Sequence, residues 1–115
     1  MTAVPQSLLQ VPPLLRRLGG SSLMASPIAW GMWRLVEAGR TAAEATRLVH
    51  AALDAGITLF DTADIYGFDG IAGFGDAEIL LGEVLRAQPS LRDRMMLTTK
   101  GGIRPPQPSV VWRFI

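Results

Sequence analysis

From Leu14 the chain alternates short apolar runs with clusters of small and polar residues. LLRRLGGSSLMASPIAW reads as two extended runs around GGSS, which predicts a β-hairpin. In the next run, PIAWGMWRL, residues 28–33 are expected to form a buried strand. Gly31 inside it either lets something approach the backbone or is tolerated for packing. The period then changes. Thr41-Ala-Ala-Glu44 has the form of a capping box, and Ala45, Leu48, Val49, Ala52 and Leu53 recur at helical spacing. Gly56 can take the left-handed conformation that stops a helix, so the spacing predicts a helix over 42–55.

Ile57, Thr58, Leu59 and Phe60 follow as a short run suited to a strand buried on both faces. After the loop FDGIAGFGD, Asp76 is placed to cap a second helix carrying Ala77, Leu80, Leu81, Val84 and Leu85. Pro89 marks the exit of that helix. Met95 to Thr98 then give a third strand ending at Lys100, and Gly101 and Gly102 break it. Pro105, Pro106 and Pro108 keep regular structure from resuming. The order hairpin, strand, helix, strand, helix, strand implies right-handed βαβ crossovers and a parallel sheet. Residues 1–13 read as a leader, 14–108 as the folded portion and 109–115 as a divergent tail.

Composition narrows the function classes. The chain has 115 residues, 49% of them hydrophobic and 18% charged, enough apolar material for one core. A formal charge of +1, with the arginines scattered, gives no electrostatic case for nucleic acid or an anionic membrane as partner. Without cysteine there are no disulfides or thiolate metal sites. The leader has Pro12 and Pro13 inside its apolar residues and Arg16 and Arg17 after them, the reverse of a secretory signal. No stretch reaches the roughly 18 consecutive apolar residues of a membrane span, so a cytoplasmic setting is expected.

Chemistry concentrates at the strand ends. LFDTADIYG holds the chain's only tyrosine, and LTTKGG its only lysine. In a parallel α/β unit the C-terminal ends of the strands share one face. Asp61 closes the second strand, Tyr66 lies five residues on, and Lys100 closes the third. With neighbouring strands about 4.8 Å apart, the three side chains can converge. A free phenol, with a pKa near 10, is a poor proton donor at neutral pH. An ammonium beside it favours phenolate, and a carboxylate holds that ammonium charged. Such a trio can protonate a carbonyl oxygen while a reduced cofactor delivers hydride. The purely structural reading, a strand-end aspartate and a loop tyrosine, stands beside it.

Other polar residues carry less. Asp64 and Asp69 suit turn hydrogen bonds. Glu37, Glu78 and Glu83 suit solvent, and His50 has no metal-ligand pattern and suits a structural role. Trp30, Trp33 and Trp112 fit either core or a pocket wall. The glycine-rich loop lacks G-x-x-x-x-G-K-[ST], and GFGDAE puts glutamate where a dinucleotide fingerprint needs its third glycine.

These residues strongly resemble the aldo-keto reductase superfamily. RRLGGSSLMASPIAWGMWRL, GITLFDTADIYG, AEILLGEVL and MMLTTKGGI match in order, and DTADIYG with the downstream TTK is the specific part. GMWRL and TTKGGI resemble a bacterial branch of oxidoreductases. The resemblance implies an α/β fold, the N-terminal part of a (β/α)8 TIM barrel in which a hairpin plugs the bottom and β-α-β-α-β follows. It implies NADPH-dependent reduction of an aldehyde or ketone to an alcohol. Tyr66 would be the proton donor, Lys100 its activating partner and Asp61 the residue paired with Lys100. Gly31, Met32, Trp33 and Asp61 would lie at the nicotinamide end of the cofactor, and the partner would be a small carbonyl substrate.

The family barrel typically needs about 250 residues. This chain supplies two βα units and a third strand, and the family's catalytic histidine follows a strand not present in the sequence. His50, on a helix, cannot stand in. The expectation is therefore an N-terminal portion that is inactive alone, with unpaired sheet edges and a tendency to associate. The alternative is a non-catalytic relic or a regulatory interaction module that keeps part of the fold.

Overall fold

The computed structural model describes residues 14–104. The hairpin forms as the GGSS turn predicts. Strand β1 (Arg16–Arg17) pairs antiparallel with β2 (Met24–Ala25), matching Arg16 to Ala25. Ser26 then ties the hairpin to the sheet. It is 4% exposed, and its hydroxyl accepts from the Thr58 and Leu59 amides at 2.9 and 3.2 Å while donating to Ile28 O.

Three parallel strands follow: β3 (Ala29–Gly31), β4 (Leu59–Asp61) and β5 (Met96–Thr98), in the spatial order β3-β4-β5. Helix α1 (Ala42–Asp54) crosses from β3 to β4, and α2 (Asp76–Ala87) from β4 to β5. The register aligns three rows. Trp30, Phe60 and Leu97 form the middle row and pack toward the helices, with Phe60 fully buried. Ala29, Leu59, Met96 below it and Gly31, Asp61, Thr98 above it alternate to the opposite face. Met32, Leu35, Val49, Leu53, Leu81, Val84 and Leu91 complete the core on the helical side.

The sequence reading holds for element order and differs in detail. Helix α1 starts from Thr41, whose hydroxyl oxygen accepts from the Glu44 amide at 3.2 Å. The reciprocal half of the capping box differs: the Thr41 hydroxyl lies 3.2 Å from the Glu44 carboxylate itself. Gly56, at φ 86°, ends the helix with paired bonds from Gly56 N to Leu53 O and from Ile57 N to Ala52 O. Those two bonds satisfy carbonyls that the helix end would otherwise leave open. Leu48 lies at the margin of the buried stripe, 37% exposed, not within it.

Strand β3 is shorter than residues 28–33 and is not buried. Ala29 and Gly31 are exposed, and at Met32 the backbone turns into a 3-10 turn, Met32–Arg34. Among the described residues β3 pairs only with β4. β4 is likewise buried on one face, not two, because Leu59 and Asp61 look toward the side with no helix. Asp76 is the first helical residue, not the cap. Gly75 occupies the cap position, where no side chain bonds the helix amides. The leader, the three downstream prolines and the 109–115 tail lie outside the described residues. No helix among the described residues is long and apolar enough to cross a membrane.

Candidate active site

The upper row of the sheet, Gly31, Asp61 and Thr98, presents a carboxylate between a bare backbone and a hydroxyl. Thr98 donates to Asp61 Oδ1 at 2.8 Å. Beyond the strands the parallel ladder continues, with Thr62 N to Thr98 O at 2.9 Å and Asp64 N to Lys100 O at 3.0 Å. That continuation carries Lys100 alongside the residues following β4. Its ammonium donates to Asp61 Oδ1 at 2.9 Å and to Thr62 O at 2.9 Å. The same ammonium sits 4.7 Å from the centre of the Tyr66 ring. Asp61, Tyr66 and Lys100, named from spacing alone, are thus neighbours in space.

Each charge is explained by the next. The Lys100 ammonium, and then the Thr98 hydroxyl, hold the Asp61 carboxyl below its ordinary 3.8. Hydrogen bonding to Asp61 in turn raises Lys100 above its ordinary 10.5, against a smaller opposing effect of desolvation. Lys100 is therefore a permanent cation at neutral pH, fixed beside a phenol.

Tyr66 is half-buried and held from two sides. The Trp33 ring meets it edge-on with centroids 5.2 Å apart, and Tyr66 O accepts from the Ala77 amide at the start of α2. A cavity of about 290 Å³ opens here, lined by Trp33, Ala63, Ile65, Tyr66, Lys100 and Ile103 among others. Its wall is largely apolar, with the Lys100 cation, the Tyr66 phenol and the Asp64 carboxylate as its polar side chains. That combination suits a flat, neutral ring and a carbonyl better than a phosphate.

The other expected cofactor contacts divide. Gly31 and Trp33 are exposed, and nothing lies within 4 Å of where a Gly31 side chain would begin. Met32 is fully buried in the core, so only its backbone is available at the site. Thr98 and the Thr62 carbonyl join the site with no motif signal of their own. The register rule could have found Thr98, two residues before Lys100 and on the same face. Glu78, read as solvated, accepts from the Thr99 hydroxyl and braces α2 against the end of β5. Asp69 makes the expected turn, accepting from the Ile71 and Ala72 amides at 2.8 Å each. His50 bonds Gln88 at 2.8 Å, a structural link between the ends of α1 and α2. Among the described residues no group of three or more His, Cys, Asp or Glu could hold a metal.

Comparison with known proteins places this arrangement. Residues 27–115 match the model of the aldo/keto reductase family. The chain is 71% identical over 100 residues to a 6-dehydroglucose reductase of Novosphingobium aromaticivorans, covering 87% of this chain and 33% of that protein. A 6-dehydroglucose reductase of Agrobacterium fabrum is 42% identical over 85 residues, covering 73% of this chain and 27% of its own length. The holo form of the aldo-keto reductase AKR11C1 from Bacillus halodurans superposes with a TM-score of 0.59 at 31% identity, over 87% of this chain and 30% of that one. The chain thus spans about a third or less of the relatives it matches, and its open three-stranded sheet is part of their barrel. It belongs to the aldo/keto reductase family of oxidoreductases.

Proposed function

We propose that these residues form the proton-donating half of an NADPH-dependent reductase acting on a sugar aldehyde of the 6-dehydroglucose type. The observation that carries the reading is the position of Lys100 Nζ, 2.9 Å from Asp61 and 4.7 Å from the Tyr66 ring centre. A cation fixed there stabilises negative charge that develops on the phenolic oxygen as its proton leaves. Asp61, itself held by Thr98, and the Thr62 carbonyl keep the cation in place, so no reorganisation is needed at the moment of transfer. Tyr66 donates its proton to the carbonyl oxygen, and Trp33 supplies an exposed aromatic wall for the reacting groups. Amino-acid side chains do not deliver hydride, so the reduced nicotinamide supplies the electron pair at carbon when bound. Gly31, Trp33 and the backbone of Met32 would lie against it, together with the Asp61 end of β4. The 71% identity to a 6-dehydroglucose reductase supports the substrate class. A cytoplasmic setting suits a cysteine-free chain that depends on reduced nicotinamide.

The 115-residue chain unaided is expected to be inactive, because the matched region spans only 33% of the Novosphingobium reductase. The test therefore grafts residues 14–104 into the matching segment of the Novosphingobium reductase. The chimera should consume NADPH with 6-dehydroglucose, and Tyr66→Phe in it should lower kcat about 100- to 10,000-fold. Retention of the full rate by Tyr66→Phe would rule out the proton-donor role.

A further inference from the structure

The loop Gly67–Gly75 folds back on itself directly behind Tyr66. Gly73, at φ +92°, lies so close to Gly67 that a side chain there would begin 2.2 Å from Gly67 O and 3.1 Å from its carbonyl carbon. The contact is reciprocal. A side chain on Gly67, at φ +100°, would begin 2.9 Å from Asp76 Cβ, 3.0 Å from Gly73 O and 3.1 Å from Val36 Cγ2. The two nearest obstacles at Gly73 are backbone atoms, which cannot swing aside as the third, Asp76 Oδ2 at 3.2 Å, can.

The surrounding hydrogen bonds couple this contact to the phenol. Gly73 O accepts from Asp76 N at 3.0 Å, and Gly75 N donates to Asp64 O at 2.7 Å. Ala77 N donates to Tyr66 O at 3.1 Å. The first turn of α2 thereby holds Gly73 on one side and the Tyr66 peptide on the other. We infer that Gly73, through its backbone contact with Gly67, is a positioning residue for Tyr66. It sets the phenol at once against Lys100 and Trp33, and the inference builds on the reading of Tyr66 as proton donor.

The consequence follows from the distances. The side chain of an alanine at 73 must move away from Gly67 O by roughly 1 Å, and a displacement of that size at a reacting group can cost about 100-fold in rate. The strand beneath Gly67 is anchored by the sheet ladder and α2 by the core, so the displacement falls on the residues between them. Tyr66 is the nearest of these.

Gly70 provides the control. It has φ +100°, the same left-handed region, yet nothing lies within 4 Å of where its side chain would begin. Gly70→Ala therefore strains the loop without touching the contact.

Because Tyr66 is the chain's only tyrosine, ring-labelled tyrosine gives one set of NMR signals in the full chain. In the parent these should show cross-peaks to Trp33. Gly73→Ala should erase those cross-peaks and move the ring signals toward free tyrosine, with the Trp30–Phe60 cross-peaks of the core retained. Gly70→Ala should leave all of them in place. Intact Tyr66–Trp33 cross-peaks in Gly73→Ala, or their equal loss in Gly70→Ala, overturn the inference. If Gly73→Ala does not fold, Gly67→Ala is read the same way, its collisions being milder. In the grafted reductase Gly73→Ala should lower kcat about 100-fold with KM for NADPH unchanged. A chimera that stays active as Tyr66→Phe refutes the donor role alone, while the ring signals still decide the positioning.

Discussion

The two faces of the three-stranded sheet carry different burdens. On the helical side Phe60 is fully buried, meets Trp30 edge-on at 5.5 Å and packs with Val49, Leu53, Leu81 and Val84. On the opposite side Leu59, Asp61 and Met96 are half-exposed, and Gly31 and Thr98 are exposed. One face holds the fold together and the other holds the charges. The difference teaches that the candidate site draws its order from hydrogen bonds and register, while its rigidity comes from apolar packing one residue away in the chain.

The sharpest way to break this comparison is a pair of truncations at adjacent positions. Phe60→Ala should destabilise by about 3–5 kcal/mol, whereas Leu59→Ala should cost roughly 1 kcal/mol or less. Urea unfolding of both variants measures the contrast. Equal costs would mean that the open face is covered in solution, by self-association or otherwise.

A smaller effect tests the boundary between the faces. Thr62 is 1% exposed, and its hydroxyl has no hydrogen-bond partner among the described residues. Replacing it by valine keeps the shape and removes an unsatisfied polar atom, so Thr62→Val should stabilise by about 1 kcal/mol. A destabilised Thr62→Val would show that the hydroxyl finds a partner the packing does not reveal. On the helical side Thr41→Ala should cost about 1 kcal/mol through the lost cap, read as a lower thermal midpoint. An unchanged midpoint would mean that α1 is held by packing alone.

The smallest expected effect lies in the ion pair, because both side chains are substantially solvated. Asp61 has its folded pKa lowered, so its contribution is present above the ordinary 3.8 and lost as pH falls through the lower folded value. Lys100 has its folded pKa raised, so its contribution is present below 10.5 and lost as pH rises through the folded value. The pair is intact across neutral pH. Lys100→Met should move the Asp61 titration upward, measured by NMR of the side-chain carboxyl. No movement would mean that Thr98 alone accounts for the shift.

Much of this was legible in the residues. The 3.6-residue period of α1 and α2, the Thr41 cap and the Gly56 stop are local signals, and each forms near its expected place. The family and its barrel were legible in DTADIYG and the downstream TTK. Strand burial leaves a weaker trace. A run such as Ile57–Phe60 has the same apolar character whether one face or both are covered, because cover comes from segments distant in the chain. Asp76 misled as a cap because a helix can begin from a glycine turn whose geometry leaves no trace in composition.

By itself, then, the sequence determined the order of elements, the apolar faces of the helices and the residue types of the candidate site. These depend on neighbours within a few positions, where side-chain spacing translates directly into backbone conformation. Only the tertiary structure decided that the Lys100 ammonium reaches both Asp61 and the Thr62 carbonyl, that Met32 turns inward while Trp33 turns out, and that Gly73 touches Gly67. Those outcomes depend on strand register and on where a loop folds back. Both are settled by long-range packing, which no local pattern encodes.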